Sequence, residues 1–176
     1  MLTIIRGKCK ALVQEDSIKI GYLGNWMAVK FKYIGKVVAI IILYRILVLS
    51  SKGLLYSLTQ YNKIDKKAKT PSDYRKELLD SIKQYVQENT DMNDIIIVGD
   101  MNQSIEAKEI QKFCIKVGVV DIYHYYNKIL LNQLDSTKIN RSKPIDTIAA
   151  SNGIIEYVKG YKLIGNNDIM RSDYCT

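Results

Sequence analysis

One run constrains this chain's fold more than any other: DIIIVGDMNQ, Asp94 to Gln103. Its first half is four consecutive β-branched residues, Ile95 to Val98, stiff at χ1 and suited to an extended backbone. With no polar residue alternating between them, the run predicts a short strand buried on both faces, as in the middle of an α/β sheet. Gly99 then lets the backbone turn, and the polar residues emerge at the strand's carboxyl end, where such sheets bind ligands. Asp100 and Asn102, two apart, project to the same side if the extended path continues. A carboxylate beside a carboxamide can hold a water, or give oxygens to Mg²⁺. The same letters also suit a strand that simply ends in an Asx-type turn. The neighbouring DMND, Asp91 to Asp94, has no apolar strand before it and reads as the loop leading in.

Other segments fit around that strand. WMAVKFKY, Trp26 to Tyr33, alternates in its second half, and Ile34-Gly35-Lys36 offers a hairpin turn into the apolar VVAIIIL, Val37 to Leu43. The wider run Val37 to Leu49 is too short to span a bilayer and carries Arg45, so it predicts a buried strand. Ser50 to Lys69 is polar and lysine-rich and reads as a long surface loop. Thr70-Pro71 opens a helix, with Thr as N-cap and Asp73 near the positive end; Tyr74, Leu78, Ile82, Tyr85 and Val86 form its packed face. A second helix is expected from about Ser104, packing Ile110, Phe113, Cys114 and Val117 and stopped by Gly118. Strand-like pieces recur at Val119–Tyr123, Pro144–Ser151 and Tyr157–Ile164. Strands mixed with helices predict a layered α/β (α+β) domain, and 176 residues suit one such domain.

Composition narrows the chemistry. Lys and Arg number 26 against 18 acids, a formal net charge of +8, which favours an anionic partner such as nucleic acid. Codon bias in an Ile-, Lys-, Asn- and Tyr-rich chain could give the same excess without selection for binding. Three cysteines without metal-ligand spacing argue against a disulfide framework or zinc site. Met1 leads into LTIIRGKCK without a clear apolar core and cleavage site. The expectation is therefore an intracellular protein of nucleus or cytoplasm, not secreted and without a membrane partner.

Two further acids accompany Asp100. RSKPIDTIAAS places Asp146 in an apolar strand, where an unpaired carboxylate is costly and calls for a partner. RSDYCT places Asp173 in a short polar segment. Three acids tied to strands or their ends suggest one acidic pocket.

In order, GNWMAVKFKYIGKVVAIIILYR, IIIVGDMNQ, VGVVDIY, NRSKPIDTIAAS and RSDY resemble the endonuclease/exonuclease/phosphatase superfamily, most closely the endonuclease-like domains of non-LTR retroelements. The resemblance implies a four-layer α-β-β-α sandwich and Mg²⁺-dependent phosphoester hydrolysis, with Mn²⁺ as a substitute and DNA as the substrate to which the basic balance leans. Residue by residue, it implies that Asp100 and Asn102 position the attacking water and contact the phosphate. Tyr44, of the strand-ending Tyr-Arg pair, would contact the scissile phosphate. Asp146 would orient a histidine of the Ser-Asp-His motif, and Asp173 would be that motif's acid, near the metal or the water. The motif's histidine position holds Tyr174 here. Glu15, in Gln14-Glu15, matches the metal-binding Gln-Glu pair by letters, but stands close before Trp26. The resemblance spans Gly21 to Tyr174, so residues 1–176 read as a single domain lacking the family's opening third and closing strand. Two function classes follow: a nuclease-like phosphodiesterase with weakened or lost activity, or a non-catalytic remnant that binds nucleic acid. Calcineurin-like phosphatases also end a strand in Gly-Asp, but need several histidines; this chain has one, His124, in IYHYYNK.

Overall fold

The computed structural model describes residues 7–14, 16–45, 59, 62, 70–104, 106–126 and 146–159. After a 3₁₀ turn at Gly7–Leu12 come β1 (Lys19–Ile20), β2 (Trp26–Tyr33), β3 (Lys36–Tyr44), α1 (Pro71–Glu88) and β4 (Asp94–Asp100). Then follow α2 (Lys108–Val117), β5 (Val120–Asp121), α3 (Ile122–Tyr125), β6 (Asp146–Ala150) and α4 (Asn152–Ile155). The strands form one six-stranded mixed sheet in the order β1-β2-β3-β4-β6-β5. Only β3 and β4 run parallel; the other pairs are antiparallel. An α/β layered domain is thus what the chain forms, and a mixed sheet bearing helices is consistent with the expected sandwich.

The β2–β3 hairpin turns through two residues, Ile34 (φ 46°) and Gly35 (φ 76°). Positive φ at both is the geometry whose twist matches flanking strands. Ile34 adopts it against its β-branched preference and is 81% exposed. β4 occupies the centre, as four β-branched aliphatics in a row require: Ile95 and Ile97 pack towards the helices, while Ile96 and Val98 face the other side half-buried.

α1 begins at the expected cap. Thr70 and Asp73 exchange hydrogen bonds in a capping box, and Pro71 fills the first turn. Its buried stripe of Tyr74, Leu78, Leu79, Ile82 and Tyr85 meets β2, β3 and β4, with the Tyr85 ring 5.4 Å from that of Trp26. Ile41, Ile82 and Ile97 are fully buried, each contributing about 1.5–3 kcal/mol relative to exposure. α2 packs Ile110, Phe113, Cys114 and Val117 onto the same sheet face and ends at Gly118 (φ 76°). It starts at Lys108, four residues later than expected from Ser104, because residues 101–104 and 106–107 are not helical.

Two expected strands differ. Only Val120–Asp121 of Val119–Tyr123 is extended, because the Asp121 carboxylate accepts from the His124 N–H at 2.7 Å and caps a helical turn. Tyr157 to Lys159 form no strand; the remainder of Tyr157–Ile164, and most of the Ser50–Lys69 loop, lie outside the described residues. No helix among the described residues is long and apolar enough to cross a membrane.

Candidate functional site at the strand ends

Three candidate residues meet in one row across the sheet. The register pairs Tyr44 of β3 with Asp100 of β4, and Asp100 with Asp146 of β6. Asn25, just before β2, continues the row, since its carbonyl accepts from the Tyr44 N–H at 2.9 Å. Residues in register share a sheet face, so Tyr44 and Asp100 both face away from α1 and α2. Tyr44 is 45% exposed and Asp100 half-buried, which leaves both reachable from solvent. Asp146 is the first residue of β6 rather than an interior position of a strand.

Gly99 makes this edge possible. Its φ of 152° lies where side chains strain, and a Cβ there would fall 1.9 Å from the Leu43 carbonyl oxygen. The extended path stops at Asp100. Asn102 turns to φ 47°, and its N–H donates to Asp100 Oδ1 at 2.7 Å. Of the two alternatives for this strand end, a continued extended path and an Asx-type turn, the chain adopts the turn, which both residue types favour. The two side chains are still held as neighbours. Asn102 Nδ2 donates to the Arg45 carbonyl at 2.6 Å, and the Arg45 N–H donates to the Asp100 carbonyl at 2.8 Å. The turn is therefore laced to the end of β3.

Behind the row, on the helix side, lies a cluster of charge. Arg45 is wholly buried. Its Nη1 donates to Gln103 Oε1, its Nε donates to the Arg75 carbonyl at 3.4 Å, and its Nη2 lies 2.7 Å from Glu109 Oε2. Arg75, also buried, donates from Nη2 to the same Gln103 oxygen at 2.6 Å. Burial, and then the neighbouring Arg45, push the Arg75 guanidinium below its usual value, against the pull of Glu109 and Asp100. Two guanidiniums around one carboxamide oxygen fix the residue that follows Asn102, and so brace the loop from beneath.

Arg45 was legible only as an odd cation in an apolar run. Arg75 and Glu109 carry no signal in periodicity or motif, and Asn25 and Gln103, though inside motif pieces, look like ordinary polar residues of a loop. Glu15, Asp173 and Tyr174 lie outside the described residues. His124 is exposed on α3, beyond β5, and lines a cavity of about 250 Å³ with Cys114, Val119 and Asp121. Burial pushes the Cys114 thiol up to about 12, the signature of a packed rather than a reactive cysteine. Among the described residues, no three His, Cys, Asp or Glu side chains gather into a group that could hold a metal ion.

No protein-family model and no curated protein matches the chain. Solved structures with a similar backbone include an AP endonuclease from Archaeoglobus fulgidus, at 14% identity and a TM-score of 0.46, over 82% of this chain and 60% of that one. A humanized D. rerio TDP2 aligns at 16% identity and 0.42, over 79% and 48%. A beta toxin mutant from Staphylococcus aureus with bound magnesium ions aligns at 14% identity and 0.42, over 73% and 42%. The chain spans less than half the length of the first structures it matches.

Proposed function

We propose that this chain is a divalent-metal-dependent phosphodiester hydrolase of the endonuclease/exonuclease/phosphatase type. Its pattern is closest to the endonuclease-like domains of retroelements, DNA is its substrate, and its activity is weak. The observation that carries this reading is the in-register row Tyr44–Asp100–Asp146, which gathers residues from three motifs at one solvent-reachable sheet edge. Asp100 accepts a hydrogen bond from the attacking water and Asn102 fixes its position. The Tyr44 hydroxyl donates to a phosphate oxygen, and Asp146 orients the residue at the Ser-Asp-His position.

The Asp100 carboxylate and the Asn102 carboxamide are hard oxygen donors that suit Mg²⁺ or Mn²⁺ in kind. In this proposal Asp173 and Glu15 complete the set. A bound ion of this class supplies Lewis-acid stabilisation of charge developing on the phosphate. Tyr174, with an ordinary phenol pKa near 10, is a poor proton acceptor at neutral pH, which is why activity is weak. The expected result is slow nicking of supercoiled plasmid DNA in Mg²⁺, abolished by EDTA and by Asp100→Ala, and faster in Tyr174→His. Folded protein that leaves the plasmid intact overturns the hydrolase reading.

The tyrosine at position 174 favours one second reading, a non-catalytic remnant that binds nucleic acid. That reading requires salt-sensitive DNA or RNA binding unchanged by EDTA.

A further inference from the structure

α1 and α2 lie side by side on one sheet face, and both begin at the edge that carries Asp100. The Arg75 and Glu109 side chains mark the facing flanks, because Arg75 meets Gln103 and Glu109 meets Arg45 within one cluster. Counting at roughly 100° per residue, Lys76 and Lys83 fall on the flank of α1 that carries Arg75 and Leu79. By the same count, Lys112 and Lys116 fall on the flank of α2 that carries Glu109 and Phe113. The opposite flanks are already assigned: Tyr85 of α1 stacks near Trp26, and Gln111, Cys114 and Ile115 of α2 line the cavity near His124. Lys76, Lys112 and Lys116 are exposed, and Lys83 is bonded to Asp80 at 3.1 Å. Two acids lie on these flanks, Asp80, which pairs with Lys83, and Glu109, which meets Arg45, so Lys76, Lys112 and Lys116 carry the excess charge.

We infer that the α1–α2 groove is a nucleic-acid binding surface, in which Lys76, Lys83, Lys112 and Lys116 follow a phosphate backbone. The lysines extend over about 10 Å along α1 and about 6 Å along α2, at 1.5 Å per residue, a length that meets about two or three successive phosphates. The groove opens at the sheet edge beside Gln103, whereas Tyr44 and Asp100 face the other side of the sheet, so the groove is a surface separate from the strand-end row. The surface rests on the functional reading above only for its choice of polyanion, and binding read in EDTA does not depend on hydrolysis.

The test is fluorescence anisotropy of a labelled 30-base-pair DNA duplex in EDTA, as a function of salt. Two variants lower the net charge equally: Lys112→Glu/Lys116→Glu in the groove, and Lys32→Glu/Lys36→Glu on the exposed β2–β3 hairpin. Groove reversal is expected to weaken binding roughly tenfold or more at 50 mM salt and to flatten the log–log salt slope by about 2. Hairpin reversal is expected to change affinity less than about twofold. Equal losses in both variants would mean diffuse attraction to net charge and overturn the inference. So would unchanged binding in the groove variant, or no binding by the unaltered protein at low salt. Unchanged binding with plasmid nicking intact sinks the groove alone; retained binding without nicking sinks the hydrolase alone.

Discussion

The Arg45 guanidinium, wholly out of solvent, lies 2.7 Å from the Glu109 carboxylate, which is itself 46% exposed. This pair spans two elements, the end of β3 and the first turn of α2, directly beneath the Asp100–Asn102 turn. Its balance is uneven. Arginine cannot shed its charge, whereas the carboxylate keeps part of its hydration.

Neutralising the carboxylate is therefore expected to leave a buried cation uncompensated. Glu109→Gln should lower stability by about 1–3 kcal/mol, less than the 3–5 kcal/mol for breaking a fully buried pair because Glu109 is half in water. Arg45→Met should cost less than Arg45→Ala, since it keeps the packed stem without a charge to desolvate. Urea denaturation midpoints at fixed slope measure both. Equal stability of Glu109→Gln and the unaltered chain would show that hydrogen bonding to Gln103 suffices to hold the buried cation without a counter-charge.

A single methyl group tests the close approach of β3 and β4. Gly99→Ala places a Cβ against the Leu43 carbonyl oxygen and demands a φ that alanine avoids. Backbone cannot yield as a flexible side chain can, so a loss of about 3 kcal/mol or more is expected. Chemical denaturation reads the loss, and a drop below about 1 kcal/mol would mean that the strands do not meet this closely.

The pH dependence of stability is set in part by Asp121. Burial raises its carboxyl above the ordinary value, opposed by hydrogen bonds from the His124 N–H and from the Thr147 hydroxyl at 3.2 Å. An acid whose folded pKa lies above its unfolded one binds more protons when folded. Its contribution is thus fully present below the unfolded pKa and is lost as pH rises through the folded value. Asp121→Asn should flatten this part of the profile, so that the Tm difference from the unaltered chain moves in the variant's favour from about pH 4 to pH 7. Thermal melts across that range decide it; a difference that stays constant would show that Asp121 titrates alike in both states.

What could be read in the sequence was what local chemistry decides. Thr70-Pro71-Ser72-Asp73 caps a helix by side-chain hydrogen bonds within four residues, and Gly118 ends one because it tolerates left-handed φ. Four β-branched aliphatics made β4 central wherever its neighbours lay. The carboxyl end was subtler. The letters Gly-Asp-Met-Asn allow both an extended path and an Asx-type turn, and only the structure shows that a left-handed Asn102 folds back onto Asp100. The Arg45–Gln103–Arg75–Glu109 cluster could not be read at all. Its members come from a strand end, a loop and two helices, and only the crossover from β3 to β4 brings them together. Asn25 was missed for the same reason: the hairpin carries it to the row, and nothing in Gly24-Asn25-Trp26 announces where the other strand ends.

The parallel pairing of β3 with β4 also bears on when this edge forms. The β2–β3 hairpin closes through two residues, a local event. The Asn102–Arg45 bond joins groups 57 positions apart, and Ser151 reaches Asp94 across the same separation. Loop-closure entropy opposes such contacts, and docking of α1 shortens the effective loop that must close. The expected order therefore puts the strand-end row late, after the hairpin and helix. Substitutions within it should chiefly hasten unfolding and leave the folding rate near that of the unaltered chain.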